Sequence, residues 1–171
     1  MTIEQLSREG LERRVEELAE LLRDSVDGGA SVGFLPPLGL EEAAAYWKSV
    51  APAVGGGGRL LFAAFEDGKL AGSVQLDLPG LPNGRHRAEI MKLLVATRER
   101  GRGIGAALMA RVEEAAREHG RILVVLDTRT GDNAERLYQR LGYAIAGVIP
   151  DYALNDRGIP HATTIMYRRL D

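Results

Sequence analysis

The chain has 171 residues, 45% of them hydrophobic, which suits one domain with a sizeable core. Its formal net charge of −2 excludes any global attraction to nucleic acid or anionic membranes, so basicity that matters here must be local. The absence of cysteine excludes disulfides, thiolate metal sites and cysteine nucleophiles.

The first residues, "MTIEQLSREGLERR", are charged from position 4 and lack the apolar segment of a signal peptide. No apolar run approaches the ~20 residues needed to cross a bilayer. His86, His119 and His161 are too scattered for a metal site. The expectation is one cytoplasmic domain over residues 1–171, with no metal, nucleic-acid or membrane partner.

In "LERRVEELAELLRDSV", Leu11, Val15, Leu18, Leu22 and Val26 recur at steps of three or four, which predicts one amphipathic helix. Glycines and two prolines in "DGGASVGFLPPLG" end it. "LEEAAAYWKSVAPAV" predicts a second helix, closed by its proline and by a glycine run at 55–58 that reads as a flexible tether. "RLLFAAFEDGKLAGSVQLDL" predicts two strands joined at Asp67-Gly68, a hairpin signal. "RAEIMKLLVAT" is a third strand, too apolar to lie at an edge. A glycine loop follows, then the helix "GIGAALMARVEEAAREHG" ending at Gly120. "RILVVLDT" reads as a strand buried on both faces. "GDNAERLYQRLG" is a short helix closed by Gly142, and "YAIAGVIPDYAL" and "HATTIMYRRL" are the last two strands. No internal repeat or domain boundary is visible.

The stretch "RERGRGIGAALM" (98–109) sets Gly101, Gly103 and Gly105 among Arg98, Arg100 and Arg102, just ahead of a helix. The first N–H groups of a helix have no partner within it, and glycines leave them unscreened. The helix dipole and three guanidinium groups add positive potential, so a phosphate or diphosphate suits this turn. The plainer reading is a tight strand-to-helix turn with solvated arginines. A P-loop is excluded because Ala106-Ala107 follow the last glycine where Lys-Ser or Lys-Thr is required. A dinucleotide fold is excluded by the glycine spacing and by the loop's place after the third strand.

Arg100-Gly101-Arg102-Gly103-Ile104-Gly105 resembles the R/Q-x-x-G-x-G/A pattern of the GNAT N-acetyltransferase superfamily. About 35 residues on from Arg100, "AERLYQRLGY" resembles that family's A-x-x-L-Y-x-x-x-G-F/Y segment. Two ordered matches are far more specific than one, and with the element order the resemblance spans essentially the whole chain. It implies an α/β (α+β) GNAT fold: a central mixed, mostly antiparallel sheet of six to seven strands flanked by about four helices. The segments "LVVLDT", "GDNAERLYQRLGY" and "GVIPDYAL" are most similar to the tabtoxin-resistance-type small-molecule acetyltransferases. One departure stands out. Where many members carry an asparagine three residues before the alanine of that segment, this chain has Gly131, so that contact is not carried over.

The resemblance implies acetyl-CoA as cofactor. It assigns the diphosphate to Arg100, Gly101, Arg102, Gly103, Ile104, Gly105 and Ala106, and the pantetheine arm to the strand end Leu94, Val95 and Ala96, where Leu94 or Val95 would donate an N–H to the thioester carbonyl. Tyr138, the tyrosine of L-Y, would protonate the leaving thiolate. Two carboxylates compete as general base. Asp127 ends an aliphatic strand and is expected to be partly desolvated. Glu89 alternates with Met91, Leu93 and Val95, where a carboxylate among apolar neighbours needs an explanation. Lys92 falls on the opposite face, as a structural ion-pair partner. Trp47, Tyr152 and His161 are candidate acceptor contacts, with a core anchor as the alternative for Trp47.

The implied activity is direct transfer of acetyl to a small-molecule amine, an amino acid or amine-bearing antimetabolite, within a ternary complex; a homodimer is compatible with it. The alternatives are a protein lysine or amino-terminal acetyltransferase, and a non-catalytic acyl-CoA-sensing module.

Overall fold

The structure is a computed structural model and describes residues 1–170. Seven strands form one sheet in the order β1-β2-β3-β4-β5-β7-β6. They are β1 (Thr2–Leu6), β2 (Arg59–Glu66), β3 (Lys69–Asp77), β4 (Arg87–Val95), β5 (Leu123–Arg129), β6 (Ala144–Leu154) and β7 (Pro160–Arg169). All neighbours are antiparallel except β4 and β5. Five helices cover the sheet: α1 (Arg8–Arg13), α2 (Val15–Asp27), α3 (Leu40–Gly55), α4 (Ile104–Glu118) and α5 (Asn133–Arg140). The mixed, mostly antiparallel fold expected from the sequence is the fold observed. Among the described residues, no helix is long and apolar enough to cross a membrane.

Two apolar clusters lie on opposite faces of the sheet. Helices α1 to α3 pack Leu11, Leu18, Leu22 and Trp47 against Leu61, Ala63, Leu94 and Ala96. Helix α4 packs Ile104, Leu108 and Val112, with Tyr138 of α5, against Phe62, Val74, Leu76, Ile90 and Val124. The hairpin at Asp67-Gly68 forms as predicted, with φ of 47° and 76°, the two positive values that a two-residue turn matched to strand twist requires.

One strand, β1, was not read in the sequence, and other local expectations are corrected. Strand β1 carries one buried residue, Leu6, in "TIEQL". It therefore has no period-two signal and is held by backbone pairing with β2, from Thr2↔Phe65 to Leu6↔Leu61. The first helix is two, interrupted at Arg14 (φ −111°, ψ 15°), with Ser7 capping α1 by accepting from Gly10 N–H at 3.1 Å. Helix α3 continues through Pro52 to Gly55. The glycines after it are an ordered cap, with Gly56, Gly57 and Gly58 N–H returning to the carbonyls of Pro52, Val54 and Ala53. Strand β5 buries only one face: Val124, Leu126 and Thr128 point inward while Asp127 is exposed.

Candidate active site

Two features of β4 open the centre of the sheet. Its parallel pairing with β5 runs from Arg87↔Leu123 to Glu89↔Val125 and stops there. Beyond that rung the strands part, and the backbone edges of β4 after Glu89 and of β5 after Val125 lose each other as partners. Strand β4 also carries a bulge. Gln75 of β3 pairs with Met91 and Ser73 with Leu94, so β4 has one residue more than β3, and Lys92 takes a left-handed φ of 51°. The bulge reverses the alternation read from the sequence. Glu89 and Met91 share the α2–α3 face with Leu94 and Ala96, whereas Leu93 and Val95 turn to the α4 side.

The bulge also sorts the strand end Leu94–Ala96. Ala96 N–H is taken by the Ala71 carbonyl of the β3 hairpin at 2.9 Å, so it is not free for a ligand. Backbone groups alternate sides along a strand, which leaves Val95 facing the gap. Its carbonyl accepts from Arg100 Nε at 3.4 Å.

Helix α4 begins beside this gap. Among the described residues, no backbone N–H from Gly101 to Ala106 donates a hydrogen bond, and the helix has no side-chain cap. Gly101 and Gly103 have φ of 79° and 82°, and a β-carbon at either would meet nothing within 4 Å. Glycine is thus required for the backbone conformation, while the space over the amides is open. Gly105 differs: a β-carbon there would lie 3.3 Å from Leu137 Cδ2, so its bareness lets α4 and α5 pack.

The arginines do not simply ring this turn. Glu99 pairs with both Arg98 and Arg102. Arg98 donates to the Leu70 carbonyl at 3.1 Å, and Arg100 folds back against Gly28 at the end of α2. Counting guanidinium groups without Glu99 overstates the local charge by one. Asp24 of α2 fixes the approach to the loop, accepting from Thr97 N–H at 2.7 Å.

Tyr138 and Tyr143 lie together behind the gap. Tyr138 is 6% exposed, and its hydroxyl makes no hydrogen bond among the described residues, although it is not sealed from solvent. Burial, reinforced by the carboxylates of Asp132 and Asp127, raises its phenol above the ordinary tyrosine value, so the proton stays on oxygen. Asp132 caps α5 by accepting from Glu135 N–H at 2.8 Å. At the departure from the family pattern, Gly131 has φ 80° and donates its N–H to the Glu135 carboxylate.

The two candidate bases differ in environment. Glu89 is half-buried on the last paired rung, at the vertex of the gap. Burial raises its carboxyl above the ordinary value, and the negative charges of Asp127 and Asp77 raise it further, against Arg87 and Arg59. Asp127 is exposed rather than desolvated.

Lys92, expected to ion-pair on the opposite face, forms no salt bridge among the described residues; through the bulge its ammonium lies 5.6 Å from the centre of the Tyr46 ring. Burial lowers its ammonium below the ordinary lysine value. Tyr46 exchanges hydrogen bonds with Gln75, which also accepts from Arg59, and Arg59 pairs with Asp77 at 2.9 Å.

A cleft of about 280 Å³ opens between the loop 29–36 and the β6–β7 hairpin tip, lined by residues including Asp27, Gly33, Phe34, Arg129, Asp156 and His161. His161 Nε2 is buried there without a hydrogen-bond partner. Tyr152 is 53% exposed, in a bulge of β6 next to the lining residues Ala153 and Leu154. Trp47 is corrected to the core: it is 0% exposed and its indole N–H donates to the Leu18 carbonyl at 2.8 Å. Its neighbour Tyr46, edge-on to Phe34 at 5.4 Å, carries the aromatic surface toward the cleft loop. Arg129 had no distinguishing signal in the sequence, Lys92 was read there only as a structural ion-pair partner, and Tyr46 only as the companion of Trp47 in the aromatic wall; what each meets depends on packing between distant segments.

Comparison with known proteins gives the family. Residues 30–143 match the family model of the Acetyltransferase (GNAT) family. An uncharacterized N-acetyltransferase of the hisH-hisA intergenic region of Azospirillum brasilense is 33% identical over 117 residues, 67% of this chain and 68% of that protein. Two solved structures share the fold at 20% identity and TM-score 0.79: yncA from Salmonella typhimurium with its cofactor acetyl-CoA (100% of this chain, 94% of that one), and a ribosomal-protein-alanine N-acetyltransferase from Brucella melitensis (99% and 100%). The chain therefore belongs to the GNAT acetyltransferase family and is an acyltransferase.

Proposed function

We propose that the protein acetylates the primary amine of a small molecule, an amino acid or amine-bearing antimetabolite, by direct attack in a ternary complex. The observation that carries this reading is the parting of β4 from β5 at Glu89, beside a helix start with unpaired amides. Six consecutive free N–H groups over two left-handed glycines fit a diphosphate, and the Val95 N–H facing the gap fits an amide-bearing arm. Acetyl-CoA supplies the activated acetyl group when bound.

Glu89 takes the proton of the attacking amine, and its raised proton affinity brings it nearer the range a general base needs. Asp127 strengthens Glu89 electrostatically from the opposite strand rather than acting as the base itself. Tyr138 holds at its Oη the proton that the departing sulfur requires. The cleft volume of about 280 Å³ supports a small acceptor over a folded protein. The likeness to the tabtoxin-resistance type, carried by "LVVLDT" and "GVIPDYAL", supports the same acceptor class.

Screening amino acids, amine antimetabolites and lysine- or alanine-ended peptides for thiol release from acetyl-CoA tests the reading. Turnover confined to small amines is expected, and turnover confined to peptides would overturn it.

A further inference from the structure

Lys92 is unfavourably placed for a residue whose role is stability. Its backbone adopts φ 51°, a conformation that side-chain-bearing residues rarely take, its ammonium is largely desolvated, and no carboxylate lies within ion-pairing distance among the described residues. The charged groups around it are Arg59, Glu89 and Asp127. Arg59 is already matched by Asp77 at 2.9 Å. This leaves two unpaired carboxylates, Glu89 and Asp127, and one unpaired ammonium across the gap between β4 and β5. Strained and under-compensated groups of this kind persist where a ligand completes them. The ammonium also borders the cleft, since a β-carbon at Gly33, one of its lining residues, would lie 3.6 Å from Lys92 Nζ.

We infer that Lys92 binds the carboxylate of the acceptor, so that the acceptor is an amino acid whose amine faces Glu89 and Asp127 while its carboxylate meets Lys92. This rests on the acetyltransferase reading above and adds to it a specific chemical requirement. The arrangement of charges is complementary to a zwitterion and not to a plain amine, which would leave Lys92 unpaired. The Tyr46 ring lies 5.6 Å from the ammonium, and Gly33, lacking a side chain, leaves room beside it; neither gives it a carboxylate.

The test is titration calorimetry on the CoA-loaded protein with the N-acetyl derivatives of the standard amino acids, each beside its carboxamide. At least one acid is expected to bind about tenfold or more tightly than its amide, as a charge-assisted contact implies, and Lys92→Met should erase that difference. Equal binding of acid and amide, including none of either, overturns the inference, as does a preference that survives in Lys92→Met. Thermal melting of the unliganded variant supplies a readout independent of ligand. A midpoint at or above wild type is expected, because an unpaired buried charge is removed, whereas a lower midpoint would mark a structural ion pair and overturn the inference. Failure of CoA itself to bind is a separate outcome that removes the acetyltransferase reading and this inference with it.

Discussion

Tyr138 and Tyr143 sit with ring centroids 5.8 Å apart and planes inclined at 54°, yet only Tyr143 has its hydroxyl bonded, donating to Glu113 Oε1 at 3.0 Å. The same carboxylate pairs with Arg168 at 3.1 Å, so Tyr143 belongs to a buried network linking α4 to β7. Tyr138 has the same ring in the same core without a structural use for its oxygen.

Tyr138→Phe should therefore lower kcat by about a hundredfold while leaving acetyl-CoA affinity and the unfolding midpoint close to wild type. Tyr143→Phe should do the reverse, losing about 1–3 kcal/mol of stability because Glu113 loses a partner in the interior. Steady-state kinetics and urea denaturation of both variants check the division. A Tyr138→Phe protein with full turnover would remove this hydroxyl from the reaction.

Gly103→Val places a β-branched side chain at φ 82°, where no favourable backbone state exists for it. The expected result is at least about a tenfold loss of CoA affinity by calorimetry in a protein that still melts cooperatively, because the amide cradle can no longer hold its shape. Gly105→Ala should act differently, through crowding of Leu137 at 3.3 Å, and show mainly as lost stability.

The pH behaviour separates Glu89 from Asp127. If Glu89 is the base, kcat/KM rises with pH through an apparent value above the ordinary carboxylate range, because burial and then Asp127 and Asp77 raise it. Asp127→Asn should move that limb toward acid, by removing a negative neighbour, and Glu89→Gln should abolish it. Linkage supplies a second readout. A carboxyl raised in the folded state binds more protons there than when unfolded, so stability falls as pH climbs from the ordinary value through the folded one. Glu89→Gln should consequently melt above wild type at neutral pH and converge with it in acid. Thermal scans and initial rates from about pH 4 to 9 measure both effects.

Trp47→Phe tests the corrected placement of that side chain. Loss of indole volume from the core, together with loss of the indole hydrogen bond to the Leu18 carbonyl, should destabilise by about 1–3 kcal/mol without changing KM for the acceptor. A raised KM in a protein of unaltered stability would return Trp47 to the acceptor wall.

The parts of the candidate site that the sequence brought forward carry local signals. Asp67-Gly68 announces a hairpin, Gly101 and Gly103 announce a left-handed turn into a helix, and Tyr138 is carried by a short motif within α5. The two turns depend on the conformational preferences of a few consecutive residues, and the candidacy of Tyr138 on a family resemblance that is equally short in sequence. The bulge at Lys92 does not. It appears only in the register of β4 against β3, where a β-carbon at Gly72 would lie 2.7 Å from the Leu94 carbonyl oxygen, so strict alternation misassigned Leu93 and Val95. Glu99 was overlooked because adjacent charges in a sequence do not reveal which side chains fold back to neutralise one another.

The chain's periodicity and turn signals gave the order of its strands and helices and a glycine turn able to bind an anion, while the fold that joins them and the role of Tyr138 were implied by the family resemblance of two short motifs. Where β4 leaves β5, which carboxylate is buried, and which lysine stands unpaired were decided by tertiary structure alone. Those properties arise from contacts between segments far apart in the chain, and the desolvation and charge environment they create have no counterpart in any short stretch of sequence.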